Sequence, residues 1–222
     1  MSTRPGVVYE HVAFDLDGTL VDSGDDLAAA VNHVLVTLGR PPIAPATVRR
    51  YVGDGARVLV ERTLGADGEA LVPRALEIFL AYYGAHLLDA TRPYPGIPAA
   101  LAALAARGVA LSVLTNKPVA MSRAILDGVG LGRCFVEVVG GDSLPVRKPD
   151  PAGLEHLRVR TGTARERMLL VGDSAIDVRT AAAANVAFCG VAWGLAPEAL
   201  HAARPARVIE SPERLVDVVE RG

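Results

Sequence analysis

Lysine is almost absent from this chain. Of its 23 basic residues only Lys117 and Lys148 are lysines; the other 21 are arginines. Arginine is used wherever it serves, so the two lysines are candidates for positions that ask for a compact ammonium in place of a planar guanidinium; the alternative is two survivors at random positions. Cysteine is as scarce. Cys134 and Cys189 are too few and too isolated for a disulfide framework, and a reduced, cytoplasmic setting is expected. The five histidines (His11, His33, His86, His156 and His201) show no close pairing. That argues against a zinc site and for surface or packing roles. Excess charge of one sign is missing too. The net charge is −2, without the basic surplus of a nucleic-acid binder. No long apolar run occurs. The most apolar stretch, Ile97 to Leu114, is cut by Arg107 and Gly108, and reads as helix, turn and strand, not as a membrane span. Met1 to Glu10 lacks the charged start and apolar core of a secretion leader. What is present is a core: 222 residues, half of them hydrophobic, suit one large domain or a core with a smaller insert. The expected partner is a small molecule, bound by a monomer or homodimer.

Hydrophobic periodicity divides the chain. Val7 to Asp15 reads as a buried strand. From Asp25 to about Leu88 the pattern is helical, with no strand apparent. Ala28, Val31, Leu35 and Leu38 form one stripe, stopped by Gly39 and Pro41-Pro42. Helices over Thr47–Val52 and Ala56–Leu64 follow, separated by Gly53-Asp54-Gly55, then one long helix or two over Gly68–Leu88. After the turn-rich Arg92-Pro93-Tyr94-Pro95-Gly96, helices and strands alternate. Helices are expected over Pro98–Arg107, Val119–Val129, Pro151–Arg160, Ala175–Ala184 and Pro212–Val219. Strands are expected over Val109–Leu114, Cys134–Val139, Met168–Val171, Val186–Val191 and, weakly, Arg207–Ile209. Such alternation predicts an α/β fold, a Rossmann-like parallel sheet with helices on both faces, carrying an inserted all-helical unit. The expected division is a core of residues 1–22 and 94–222 and an insert of residues 23–93.

Ligands in such sheets sit beyond the carboxyl ends of the strands, and the chemistry-bearing residues fall there. Asp15 and Asp17 follow the first strand. In extended chain they project to one side, and Gly18 lets the chain turn. Two carboxylates aimed at one point repel unless a cation lies between them, and that arrangement suits magnesium. It also suits chemistry in which one carboxylate attacks and the other moves a proton. A plain Asp-Gly hairpin is the alternative, disfavoured because no strand is expected next. Thr115-Asn116-Lys117-Pro118 follows the second core strand. Thr115 or Asn116 is the expected N-cap of the next helix, a geometry that also offers a hydroxyl and backbone N–H groups to an anion. Arg147-Lys148-Pro149-Asp150-Pro151 holds the second lysine in a stiffened loop. Gly172-Asp173-Ser174 with Asp177 follows the strand ending at Val171; Asp173 or Ser174 caps the next helix, and Asp177 is a first-turn carboxylate.

In this order, the motifs resemble those of the haloacid dehalogenase-like hydrolase superfamily, over nearly the whole chain and with no departure at a catalytic position. Within it the similarity is to bacterial phosphoglycolate phosphatases. It runs through Asp15–Ser23, Tyr51–Ala56, Tyr94-Pro95-Gly96, Thr115–Pro118, Gly140–Ser143, Arg147–Pro151 and Gly172–Ser174. The resemblance implies a Mg2+-dependent phosphatase with a place in carbohydrate metabolism, acting on a small phosphomonoester, 2-phosphoglycolate first, through an aspartyl-phosphate. Asp15 would be the nucleophile, and Asp17 the acid and base. Lys148 would be the charge-balancing catalytic cation, with Thr115 and Asn116 at the phosphate. Asp15, Asp17 through its carbonyl, and Asp173 would hold the metal, with Asp177 in support. The helical insert would be a cap that selects the substrate through Gly53, Asp54 and Gly55. Arg57, which opens the helix after these glycines, is the expected cation for a substrate carboxylate. A dehalogenase would lack the acid at Asp17, a phosphonate hydrolase would need a cap lysine, and the cap motif differs from a phosphomutase's. Phosphatases of another sugar phosphate or pyrophosphate remain as alternatives, as does a non-catalytic phosphate-binding protein.

Overall fold

The computed structural model describes residues 7–222. Residues 1–6, which begin both the Met1–Glu10 stretch and the first core segment, lie outside it. Strand β1 (His11–Phe14) is followed by the two-residue β2 (Val21–Asp22), then by helices α1 (Gly24–Thr37), α2 (Pro45–Tyr51), α3 (Ala56–Leu64) and α4 (Val72–Ala85). Strand β3 (Arg92–Pro93) returns to the alternating part: α5 (Ile97–Ala106), β4 (Ala110–Leu114), α6 (Val119–Gly128), β5 (Glu137–Val139) and α7 (Ala152–Thr161). It continues through β6 (Met168–Gly172), α8 (Ala175–Ala184), β7 (Ala187–Val191), α9 (Pro197–Ala202), β8 (Val208–Ile209) and α10 (Arg214–Arg221).

The main sheet has six parallel strands in the order β5-β4-β1-β6-β7-β8. The chain runs outward from β1 to β5, then crosses back to β6 on the other side of β1. This reversal leaves a crevice at the carboxyl ends of β1 and β6. Both faces of the sheet are covered, and alternate residues supply the two cores. Val12 and Phe14 of β1, with Leu169 and Val171 of β6, pack on one side with Leu101, Leu104 and Leu215. Ala13, Met168 and Leu170 pack on the other with Leu154 and Leu157. That period of two in a strand buried on both faces is why these segments read as continuous apolar runs.

Helices α1–α4 surround a separate hydrophobic core built from Leu27, Val31, Val48, Leu59, Phe79 and Tyr83 among others. The two crossings between insert and sheet are tied together. β2 pairs antiparallel with β3, Val21 opposite Pro93. Asp26 of α1 accepts hydrogen bonds from the Ala90 and Thr91 N–H groups, each 2.8 Å, and from the Thr91 hydroxyl at 2.7 Å.

Several boundaries differ from expectation. β1 begins at His11 because the Val8 and Tyr9 N–H groups bond Val219 at the end of α10, away from the sheet. A strand does follow Asp15-x-Asp17-Gly18, yet no hairpin forms, because β2 turns away to pair with β3. Gly68–Leu88 divides into a 3-10 turn over Ala66–Leu71 and α4, which ends at Ala85. Pro73, which has no N–H to donate, is suited to the first turn of the helix. The expected strand over Cys134–Val139 shortens to Glu137–Val139 behind a 3-10 turn, and α9 was not foreseen. Thr115 and Asn116 do not cap α6. Pro118 holds that position, and the Val119 N–H instead donates to Asp142 Oδ1 at 2.8 Å. Ser174 does cap α8, in a reciprocal capping box with Asp177.

Candidate active site

Asp15 lies one residue past β1, Thr115 one past β4 and Asp173 one past β6, so three adjacent strands deliver their polar residues to one crevice. The turn after β1 is tight. The Leu20 and Val21 N–H groups both return to the Leu16 carbonyl, and Gly18 sits at φ +83°. Any side chain at Gly18 would overlap the Asp173 carboxylate, so glycine is required here for approach as well as for conformation.

Asp15, Asp173 and Asp177 form a buried carboxylate cluster, with one oxygen of each lying within 4.8 Å of the others. Lys148 joins it, its Nζ 2.9 Å from Asp15 Oδ1 and 2.7 Å from Asp177 Oδ1. Asp177 thus serves twice: Oδ1 holds Lys148, and Oδ2 accepts from the Ser174 hydroxyl at 2.6 Å. Asp173 is oriented by Thr19 Oγ1 at 3.2 Å and by the Leu195 N–H at 3.0 Å. Burial pushes the Asp15 carboxyl up to about 6; Lys148 opposes that rise and Asp177 adds to it. Burial, then the charges of Asp15 and Asp177, push Asp173 well above the usual carboxylate range. For Lys148 burial alone would lower the pKa, but Asp15 and Asp177 outweigh it and hold the ammonium charged. One lysine among three crowded carboxylates leaves a net negative, oxygen-rich pocket. A hard divalent cation fits that donor set.

Asp17 lies beside this cluster and is held by two side chains. Lys117 Nζ contacts its two oxygens at 2.6 and 2.8 Å, and the Ser23 hydroxyl donates to Oδ1 at 2.6 Å. The third neighbour of Lys117 is the Tyr83 hydroxyl of α4, at 2.7 Å. Both lysines of the chain are therefore buried against carboxylates of the same site. The rarity of lysine drew attention to Lys117, but no motif spacing could pair it with a tyrosine 34 positions away.

Asn116 joins three loops. Its Nδ2 donates to the Gly53 carbonyl and to the Lys148 carbonyl, each at 3.0 Å. With the amide so engaged, a phosphoryl oxygen arriving here would meet the Thr115 hydroxyl and the Asn116 backbone N–H, which has no acceptor among the described residues. Gly140 and Gly141 let the next loop approach closely, since side chains there would overlap the Lys117 and Asn116 carbonyls.

The insert closes the site from above. A cavity of about 50 Å³ lies between the carboxylates and the apolar side chains of Leu27, Leu59, Phe79, Leu80 and Met121. Gly53 and Gly55 line it. A second opening of about 220 Å³, lined by Asp54, Arg49, Arg50, Arg62 and Arg179, leads to Asp17 and Asp173 from the side. Arg57 lines neither. Leu59 and Val60 of α3 are buried, while positions 57 and 61 share the outer face, where Arg57 stands half exposed 3.8 Å from Glu61. The expectation that Arg57 meets the ligand is corrected accordingly.

Residues 12–191 match the family model described as haloacid dehalogenase-like hydrolase. A phosphoglycolate phosphatase from Pseudomonas fluorescens is 44% identical over 196 residues, 86% of this chain and 72% of that protein. One from Cereibacter sphaeroides is 40% identical over 222 residues, 98% of each chain. Among solved structures, a protein from Haemophilus somnus described as a predicted phosphoglycolate phosphatase superposes with a TM-score of 0.87 at 32% identity, covering 95% of this chain and 97% of that one. With a family model spanning both sides of the helical insert and relatives matched over most of their length, the chain belongs to the haloacid dehalogenase-like hydrolases.

Proposed function

We propose that the protein is a Mg2+-dependent phosphatase whose first substrate is 2-phosphoglycolate, cleaved to glycolate and phosphate. One observation carries the reading. Asp15, Asp17, Thr115, Lys148 and Asp173 converge under a small apolar lid, in a chain 40–44% identical to proteins named for that reaction.

Asp15 Oδ2 is the nucleophile; Oδ1 is held by the Leu16 N–H at 2.7 Å and by Lys148. Attack on phosphorus forms an aspartyl-phosphate and expels the alkoxide, to which Asp17 gives a proton. Asp17 then takes a proton from the water that hydrolyses the aspartyl-phosphate. The Thr115 hydroxyl and the Asn116 N–H hold phosphoryl oxygens. Lys148 balances charge as the phosphoryl group transfers. Asp177 acts through Lys148, as a positioning residue. Asp15, Asp173 and the Asp17 carbonyl would hold Mg2+, which supplies the positive charge that lets an anion attack a dianion. Anion-on-anion approach is otherwise opposed by several kcal/mol per close pair. Residues 23–93 act as the cap, which excludes water from the reacting groups.

A turnover panel tests this. Phosphate release from 2-phosphoglycolate, glucose 6-phosphate, pyrophosphate and p-nitrophenyl phosphate would be followed with and without Mg2+. The highest kcat/KM is expected for 2-phosphoglycolate, only with metal. A higher value for a sugar phosphate or pyrophosphate overturns the substrate, and no metal-dependent release from any ester overturns the activity.

A further inference from the structure

The inner cavity has an unusual wall. Its apolar part is hostile to a polyol: a sugar's hydroxyls would be buried there against Leu27, Phe79 and Met121 without partners, at a cost of about 1–3 kcal/mol for each. Its volume, about 50 Å³, accommodates only a few heavy atoms, since a single water needs roughly 10–15 Å³ by the same kind of measure. Beyond the reacting carboxylates and the phosphate loop, the polar groups facing it are Lys117 and Tyr83. Lys117 is the sole cation lining this cavity among the described residues. Among the nearby arginines, Arg49 pairs with Asp22 and Asp25 and Arg62 with Asp54, while Arg50 and Arg179 line the second opening and Arg147 stands beside Gly55; none of them lines this cavity. Lys148 is enclosed by Asp15 and Asp177.

We propose that Lys117 and Tyr83 together form the anchor for a carboxylate on the leaving group, so that the site selects small 2-phospho-hydroxy acids over neutral or polyol esters. This rests on the reading of the protein as a phosphatase and extends it to the group that chooses the substrate.

Donor geometry supports the assignment. The ammonium has three hydrogens, two of which go to the two oxygens of Asp17 and one to Tyr83. Asp17 Oδ1 has a second donor, the Ser23 hydroxyl at 2.6 Å, so Lys117 can release that oxygen without leaving it unpaired. One N–H is then free for an incoming carboxylate. Tyr83 accepts from Lys117, and its own O–H has no acceptor among the described residues, which supplies a second donor. Tyr83 belongs to α4 of the cap and Lys117 to the core loop after β4. A carboxylate seated between them is therefore gripped by both halves of the closed site. The compact ammonium, in a chain that otherwise favours arginine, sits between the Asp17 carboxylate and the Tyr83 ring, 4.7 Å from its centroid.

The test compares two inhibitors of p-nitrophenyl phosphate hydrolysis. 3-Phosphonopropionate carries the carboxylate, and propylphosphonate is its neutral counterpart. The wild-type Ki ratio should favour the acid at least tenfold, and Lys117→Met should reduce that preference by about ten- to a hundredfold. Any general loss through Asp17 affects both inhibitors and cancels in the ratio. Tyr83→Phe, which removes a single oxygen, should reduce it by a smaller factor. An unchanged ratio in Lys117→Met, or a wild type indifferent to the carboxylate, overturns the anchor. If Lys117→Met does not fold, an unchanged ratio in both Lys117→Gln and Tyr83→Phe does so. Turnover of 2-phosphoglycolate by the wild type is measured in parallel. Its absence, with the inhibitor preference intact, sinks the substrate reading and leaves the anchor standing.

Discussion

Replacing Asp177 by asparagine removes one charge from a fully buried ion pair while leaving Asp15 and Asp173, the proposed metal ligands, in place. Lys148 would lose a partner at 2.7 Å and keep Asp15 at 2.9 Å. Removing one member of a buried pair costs about 3–5 kcal/mol when the survivor is stranded. Because Lys148 retains Asp15, the lower end applies. The asparagine amide also cannot serve both neighbours. Its oxygen can face Lys148 or accept from Ser174, and the NH2 group opposes a donor on the other side, at a further cost of about 1 kcal/mol. Relief of the repulsion that Asp177 exerts on Asp15 and Asp173 offsets a similar amount. The net loss is then about 3 kcal/mol, which at an m-value of about 2 kcal/mol per molar urea lowers the midpoint by roughly 1.5 M. The assay is urea unfolding at neutral pH followed by the fluorescence of Trp193, the one tryptophan, whose indole N–H donates to the Thr19 carbonyl beside the site. Turnover should fall as well, by about a hundredfold, because displacing Lys148 by a fraction of an ångström to 1 Å loses alignment. A midpoint within about 0.3 M of wild type together with unchanged kcat would refute the positioning role.

Asp15→Asn should abolish turnover while the protein stays folded; near-normal turnover, after deamidation is excluded by mass spectrometry, removes Asp15 as nucleophile. Lys148→Arg should lower kcat by at least about tenfold, since the planar fork does not fit where a point charge is held between Asp15 and Asp177; unchanged kinetics would show that only the charge matters. Metal binding should be linked to protons. The fold raises Asp15 from its ordinary 3.8 to about 6, so the protonated form is favoured without the ion. Ionised Asp15 then costs stability, a cost that grows as pH rises from about 4 and is complete above about 6. A divalent cation needs both Asp15 and Asp173 ionised, and the fold raises both carboxyls, so its affinity should climb with pH from about 4 through about 6. Calorimetric titration showing constant affinity between about pH 4.5 and 7 would contradict this.

The amino-acid sequence by itself determined the α/β class, the helical insert, the strand ends that carry Asp15, Thr115 and Asp173, and the stiffened loop that carries Lys148. These are local matters. Apolar runs bounded by glycine and proline define strands, and the residues just after them inherit a place at the sheet's carboxyl edge. The Ser174–Asp177 capping box was legible for the same reason, since both partners lie within one helical turn. Short pieces were not legible: β2 and β3 have two residues each, too few for any period, and exist because they pair with each other. Only tertiary structure decided which side chains meet across the cleft. Arg57 was a reasonable candidate by its distance from the glycines, yet the turn of α3 points it outward to Glu61. Lys117 was noticed for its rarity alone, and its partners Asp17 and Tyr83 come from segments 100 and 34 residues away. Such contacts follow from how the insert packs down on the sheet, a property of two hydrophobic cores settling against each other that no local pattern encodes.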